Sequence, residues 1–255
     1  MRVFAVQRPL TFTVLVMLVL EVVVLAGLFV SRLLGIPVIT LDLPLLLINA
    51  LIAVVLLSSL GWWRVAGFNA PAKWQNLHLL ALPILLLLGP TLLLEPQFPS
   101  LDRLVVLAVV TLLIGFQEEA IFRGVLLRAL APRGIMPAVL ISALLFGLIH
   151  ANSFLVGRDP LFVLSQIIAS FLGAIGLGAL RVRLNSIWPL VLLHALNDFL
   201  QFSATGGIEA QKVALYIPIL KIGIACLLAV YGLYLLRGEA KRQAPQQVLS
   251  GETLI

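Results

Sequence analysis

The chain has 255 residues, of which 62% are hydrophobic and only 11% are charged. A soluble domain is typically about 25% charged, so this composition excludes an ordinary soluble domain and predicts a polytopic membrane protein. The formal net charge of +6 does not indicate a nucleic-acid partner, because the basic residues lie mainly between apolar segments and act first as topology signals. The single cysteine, Cys226, excludes an intramolecular disulfide and a cysteine metal cluster.

Long apolar segments follow one another along almost the whole chain. A membrane-spanning helix needs about 20 mostly apolar residues, and segments of that length predict an all-α transmembrane bundle of about eight spans. Residues 1–240 are expected to form one membrane domain, and the polar residues 241–255 predict a disordered tail. The predicted spans are 10–33, 41–60, 77–94, 103–128, 135–155, 161–181, 185–203 and 212–236.

Arginine and lysine residues predict the orientation of the bundle. They concentrate in the N-terminal segment, in the loops after the second, fourth and sixth spans, and in the C-terminal segment. The positive-inside rule then places both termini in the cytoplasm, and we expect the protein in the plasma membrane. Only secondarily do these loops attract acidic lipids or substrate tails. The basic residues of the three loops are Arg64, Lys73, Arg128, Arg133, Arg181 and Arg183.

Two adjacent carboxylates and an arginine interrupt the fourth span, at Glu118, Glu119 and Arg123. An ionised side chain in the hydrocarbon costs about 2.5–3.5 kcal/mol, so such residues pair, face a polar cavity or carry out chemistry. Residues four apart share a helix face, and Glu119 and Arg123 are therefore expected to form an ion pair. Glu118 is turned about 100° away and remains available to a neighbouring helix. Taken alone, the triplet fits a structural ion pair equally well.

Histidines in two further spans complete the set of buried polar residues. Phe146 precedes His150 by one helical turn, and His194 precedes Asp198 by one turn. At about 1.5 Å per residue, Glu118 and His194 lie at similar depths from the predicted span ends, and His150 lies somewhat deeper. These residues are expected to converge between the fourth, fifth and seventh spans.

A carboxylate and two imidazoles allow two routes to an activated water. Glu118, His150 and His194 could bind Zn²⁺ or another divalent metal and leave one position for water, with Glu119 as a partner or general base. Without a metal, Glu118 is the general base with His150 as its partner, and His194 with Asp198 polarises a carbonyl oxygen. Both routes predict hydrolysis of an acyl bond.

The three motifs resemble those of the CPBP intramembrane proteases. Glu-Glu-x-x-x-Arg, Phe-x-x-x-His and His-x-x-x-Asp occur in the family's order on separate spans, and the resemblance covers residues 75–203. The family includes CAAX prenyl endopeptidases of the Ras-converting type and bacterial Abi proteins linked to bacteriocin processing or self-immunity. The resemblance implies an endopeptidase of the metal-dependent or glutamate-dependent type, acting on peptide or protein substrates that include prenylated ones. The residues that match motif positions are Glu118, Glu119, Arg123, His150, His194 and Asp198.

Two other classes of function are compatible with the same residues. A transporter or channel could use the Glu/His cluster as a proton or ion relay, although the sequence shows no inverted repeat of the kind typical of transporters. A catalytically idle protein could bind membrane peptides. The sequence also leaves open whether Asn197 or Asp198 faces the site.

Four further polar residues lie in or near the spans. Ser142 and Ser153 are the hydroxyls beside the motifs, and a covalent serine route is disfavoured because neither completes a nucleophile motif. Glu21 and Lys221 belong to no motif and are expected to form interhelical polar contacts or to face the cavity.

Overall fold

The computed structural model describes residues 1–93, 100–205 and 216–250. It is 87% helical, with no strand in these ranges, which confirms the predicted fold class. Short 3₁₀ turns connect several helices, and a π-helix, Glu119–Leu126, continues directly from α5 into α6. The α-helices are α1 (Arg2–Gln7), α2 (Pro9–Leu34), α3 (Asp42–Leu60), α4 (Ala81–Leu93), α5 (Leu101–Glu118), α6 (Leu127–Leu130), α7 (Ile135–Ile149), α8 (Pro160–Leu184), α9 (Trp188–Thr205) and α10 (Tyr216–Ser250).

Seven helical segments within the described ranges are long and apolar enough to cross a membrane. The protein is therefore an integral membrane protein, and the predicted span 135–155 corresponds to Ile135–Phe154 in the structure. The seventh predicted span, 185–203, is not among these seven segments and corresponds to α9, which has 18 residues. Its hydropathy is lower because it carries the polar residues of the third motif.

The last helix, α10, extends beyond its apolar part into the C-terminal segment. Helix α10 continues to Ser250, and the disorder expected for residues 241–255 stays a prediction. Lysine, arginine, glutamine and alanine are good helix formers, and they allow the helix to continue beyond its apolar part. Residues 251–255 lie outside the described ranges, and the boundary of the membrane domain stays a prediction.

Helix α8 packs between α7 and α10, and α5 packs against α9 and α3. Small residues allow the backbones of α8 and α10 to approach closely, because a Cβ added at Gly176 would lie 2.8 Å from the Leu228 carbonyl oxygen. Such contacts are typical of helix association in membranes, because moving an apolar side chain from lipid into a helix interface gains little hydrophobic free energy. The outward faces of the helices carry exposed apolar residues such as Leu18, Phe29 and Leu33.

Arg181 lies at the end of α8 rather than in a loop, in contrast to its predicted place among the basic loop residues. Its side chain is only 7% exposed, and its guanidinium donates to the carbonyl oxygens of Ala66 at 3.0 Å and Val65 at 3.1 Å. Gly67 has a φ of +97°, and a Cβ there would overlap the guanidinium. Arg181 therefore fastens the segment after α3 to the end of α8.

Candidate active site

The candidate site begins where the regular helix α5 passes into the π-helix. Glu118 is the last residue of α5, and the whole π-helical segment Glu119–Leu126 is buried. The side chain of Glu118 is 24% exposed, whereas that of Glu119 is 0% exposed. Short π-helical segments are rare and occur frequently at functional sites. The two adjacent carboxylates thus have different environments, one partly open and one enclosed.

The Glu119 carboxylate contacts both Arg123 and His194. Its Oε1 lies 3.0 Å from Arg123 Nη1, so the ion pair expected from the sequence is present. The same oxygen lies 2.9 Å from His194 Nδ1. An ionised carboxylate can only accept hydrogen bonds, so Nδ1 donates and the orientation of the imidazole is fixed. Glu119 thereby links the first motif to the third.

The other nitrogen of His194 faces two carboxylates. Nε2 lies 3.5 Å from Glu118 Oε2 and 3.6 Å from Asp198 Oδ2. These distances are at or beyond the limit of a hydrogen bond, so the contacts are mainly electrostatic and Nε2 can interact with another group. Asp198 is the residue that points to His194, and Asn197 Nδ2 lies 3.4 Å from Asp198 Oδ1. Of the two residues, Asp198 is the one with a contact to His194, and its role in the site stays a prediction.

Phe146 lies at the centre of the site. Its ring centroid is 5.1 Å from that of His150 and 6.1 Å from that of His194, both edge-on. The Arg123 guanidinium carbon lies 4.1 Å from the ring centroid, which is a cation–π contact. The sequence predicted only that Phe146 would shield His150. In the structure it also contacts His194 and Arg123.

His150 is held by its own helix. Its Nδ1 lies 2.8 Å from the Phe146 carbonyl oxygen, and because a carbonyl only accepts, Nδ1 donates and Nε2 remains as an acceptor. The sequence predicted that Glu118 would meet both histidines. Glu118 contacts His194, but no direct contact with His150 is present among the described residues. The reason is that His150 begins a 3₁₀ turn after α7 and is tied back to Phe146.

Two glycines set the helix spacing around the site. A Cβ at Gly115 would lie 2.8 Å from the Val191 carbonyl oxygen, so α5 and α9 touch backbone to backbone. A Cβ at Gly147 would lie 2.8 Å from the carbonyl oxygen of Ile167 in α8. Each glycine precedes a motif residue, Glu118 or His150, by three positions. Close backbone contact therefore occurs one turn before each of these residues.

The predicted metal ligands do not form a metal site in this arrangement. Within the described ranges, no group of three or more His, Cys, Asp or Glu side chains is placed to hold a metal ion. Glu118 and His194 approach each other, whereas His150 contacts Phe146. The arrangement does not fit the proposed three-ligand set, and the metal-bound route stays a prediction.

The remaining polar residues have structural partners. Ser142 is 4% exposed, and its hydroxyl donates to the Phe122 carbonyl oxygen of the π-helix at 2.7 Å, which is the geometry of a structural hydrogen bond. Glu21 Oε1 lies 3.4 Å from Asn152 Nδ2, so the expected interhelical contact is present. Lys221 Nζ lies 5.6 Å from the Phe162 ring centroid and links α10 to α8.

Comparison with known proteins gives one family. Residues 100–200 match the family model of Rce1-like type II CAAX prenyl endopeptidases. This match confirms the resemblance to the CPBP proteases and indicates a membrane protease in general. No characterised relative and no solved structure matches the chain.

Proposed function

We propose that this chain, whose residues 100–200 match the Rce1-like membrane proteases, hydrolyses peptide bonds of membrane-associated substrates with a water activated by Glu118. The observation that supports Glu118 is its exposure of 24%, against 0% for Glu119. A general base has to reach the water that it deprotonates. Glu119 is enclosed and already engaged by Arg123 and His194, so it acts as a positioning residue.

The proposed reaction uses a single water. The Glu118 carboxylate removes a proton from the water as its oxygen attacks the carbonyl carbon of the scissile peptide bond. The carbonyl oxygen gains negative charge, and His194 Nε2 stabilises this charge by donating a hydrogen bond. The carbon–nitrogen bond then breaks as Glu118 returns the proton to the leaving nitrogen. The products are a carboxylic acid and an amine, and Glu118 is again a carboxylate.

The other motif residues support these steps. His150 Nε2 can accept a hydrogen bond from the second O–H group of the water. This bond would orient a lone pair of the water oxygen toward the substrate. Glu119 fixes the ring of His194, and Arg123 balances the charge of Glu119 inside the bundle. Asp198 lies beside His194 Nε2 and favours the donor form of the ring that the oxyanion requires. Orientation of this kind typically supplies a large part of the rate of an enzyme.

The match of residues 100–200 to the Rce1-like family model supports a substrate class. We expect peptides that reach the bilayer, either prenylated CAAX-type tails or bacteriocin-like and other membrane peptides. The charge distribution of the loops supports an orientation with both termini in the cytoplasm. Single added cysteines near each terminus, labelled in intact cells and in inverted vesicles, test this orientation. Labelling of the termini in intact cells would contradict it.

The test of the proposed function is peptide cleavage by the purified chain in lipid vesicles. The panel contains prenylated CAAX peptides, their unprenylated counterparts and single-span peptides. Glu118→Gln is expected to lower kcat/KM by about 10²–10⁴-fold, the usual contribution of a general base. The matched control is Glu21→Gln, which also removes an intramembrane carboxylate but lies outside the site. Equal losses in both variants, or cleavage by neither protein nor variant, would contradict the proposal.

The metal-bound route is tested separately. Metal analysis of purified wild-type protein and of Glu118→Ala gives the metal content directly. One equivalent of a divalent metal in wild type that is lost in the variant would support ligation by Glu118, His150 and His194. Full activity of metal-free protein would support the route through the carboxylate alone.

A further inference from the structure

A cavity lies outside the Glu–His site, where several helices end. Its volume is ≈ 680 Å³, within the range of about 300–1,000 Å³ that is typical of small-ligand pockets. The basic loops after the second, fourth and sixth spans, which the sequence separates widely, meet around it. Its lining residues are Arg64, Val65, Asn69, Ala70, Ala72, Arg128 and Asn185.

The charged residues that line this cavity are all basic. Arg64 and Arg128 supply two guanidinium groups, and none of the lining residues is acidic. Within the described part of the chain, neither arginine forms an ion pair, and Arg128 Nε is buried without a hydrogen-bond partner. Two guanidinium groups without an acidic neighbour favour an anion in the cavity.

Hydrogen bonds join the two chain segments that form the wall of the cavity. Arg181 donates to the Asn185 side-chain oxygen at 3.3 Å as well as to the Val65 carbonyl oxygen at 3.1 Å. Asn69 Nδ2 donates to the Asn185 carbonyl oxygen at 2.7 Å. These bonds cross between the segment after α3 and the segment after α8, so the lining is organised before any ligand binds. Binding to a preorganised site loses less conformational entropy.

Aromatic residues beside the cavity are of the kind found at span ends. Phe68, next to the lining residue Asn69, packs against Trp63 and Trp188, with ring centroids 5.0 and 5.4 Å apart. Trp74 in the same connecting segment is 67% exposed. Exposed tryptophans at span ends are typical of the membrane interface. An anion at this depth is more readily a lipid phosphate than a solute.

We propose that this cavity binds the phosphate of an anionic phospholipid headgroup between Arg64 and Arg128. Arginine pairs with phosphate through two parallel hydrogen bonds, and basic pockets between spans are suited to lipid headgroups. The proposal does not depend on the catalytic reaction. It assigns to these loops a specific ligand in addition to their role in orientation.

The test uses the full chain in nanodiscs of phosphatidylcholine that contain a minor fraction of phosphatidylglycerol. Native mass spectrometry counts the phosphatidylglycerol that each protein retains. The double variant Arg64→Gln with Arg128→Gln is expected to bind it about tenfold more weakly or worse, since each basic residue contributes about 1 kcal/mol near a charged lipid. The matched control, Lys73→Gln with Arg133→Gln, removes the same charge from neighbouring loops and should change the affinity less than about twofold.

Three outcomes would overturn the proposal. One is an equal loss in both double variants, which would mean that the lipid responds only to general surface charge. Another is displacement of the lipid by inorganic phosphate at similar concentration, which would assign the cavity to a free phosphate. The third is unchanged binding by Arg64→Gln alone. Because Arg64 is exposed, this single variant is expected to fold and keeps the test valid if the change at Arg128 impairs folding.

Discussion

Replacement of Gly115 by alanine tests whether the contact between α5 and α9 positions the site. A Cβ at Gly115 would lie 2.8 Å from the Val191 carbonyl oxygen, while ordinary contact begins at 3.4 Å, so the helices must separate by about 0.6 Å. Both helices carry site residues, Glu118 one turn after the contact on α5 and His194 on α9. A displacement of this size between reacting groups typically lowers a rate by about 10–10²-fold.

The control for this prediction is a glycine whose replacement by alanine should raise the stability of the protein instead of lowering it. Gly173, inside α8, has no neighbouring atom within 4 Å of the position that an added Cβ would take. Gly173→Ala should therefore stabilise the helix by about 0.5–1 kcal/mol, the usual gain for glycine to alanine in a helix. Gly115→Ala should destabilise by about 1–3 kcal/mol, the usual cost of overpacking.

The assay is thermal unfolding in detergent together with cleavage in vesicles. Gly115→Ala should have a lower Tm and a lower kcat than wild type, and Gly173→Ala should keep its kcat and have an equal or higher Tm. If the two variants behave alike in both measurements, the backbone contact does not set the geometry of the site.

Three further predictions concern single side chains. Ser142→Ala should lower the free energy of unfolding by about 1–3 kcal/mol, because the Phe122 carbonyl of the π-helix loses its hydrogen-bond donor. Its cleavage activity should stay within a few-fold of wild type, and a loss of activity as large as that of Glu118→Gln would indicate that Ser142 is a nucleophile. Arg181→Met should lower the free energy of unfolding by at least about 3 kcal/mol, because buried hydrogen bonds are lost. The exposed control Arg133→Met should leave it unchanged, and identical unfolding curves for the two variants would refute the prediction. Asp198→Asn should lower kcat about as much as Asp198→Leu, because the contact of Asp198 with His194 Nε2 is electrostatic and both variants remove the charge. Wild-type activity of Asp198→Asn in a cleavage assay would mean that the charge is not required.

The sequence predicted those features that depend on local spacing and apolar length. The spans follow from runs of about 20 apolar residues, and the pair of Glu119 with Arg123 follows from their separation of four residues. The same spacing predicted the approach of His194 to Asp198. These contacts lie within single helices, so helix geometry alone determines them.

The features that the sequence did not predict depend on contacts between helices. The π-helix after Glu118 has no signature in residue propensity. The central position of Phe146 and the buried hydrogen bonds of Arg181 arise only when α5, α7, α8 and α9 are packed. A signal was present in one case, because Gly115 and Gly147 each stand one turn before a motif residue, and small residues mark close helix contacts in membranes.

The most direct test of the central claim compares the two adjacent glutamates in single-turnover cleavage. Glu118→Gln should lower the rate of the chemical step by about 10²–10⁴-fold with substrate binding unchanged. Glu119→Gln should lower it less, since His194 loses only its orienting partner. A larger loss in Glu119→Gln than in Glu118→Gln, or a wild-type rate in Glu118→Gln, would contradict the assignment of Glu118 as the group that activates water.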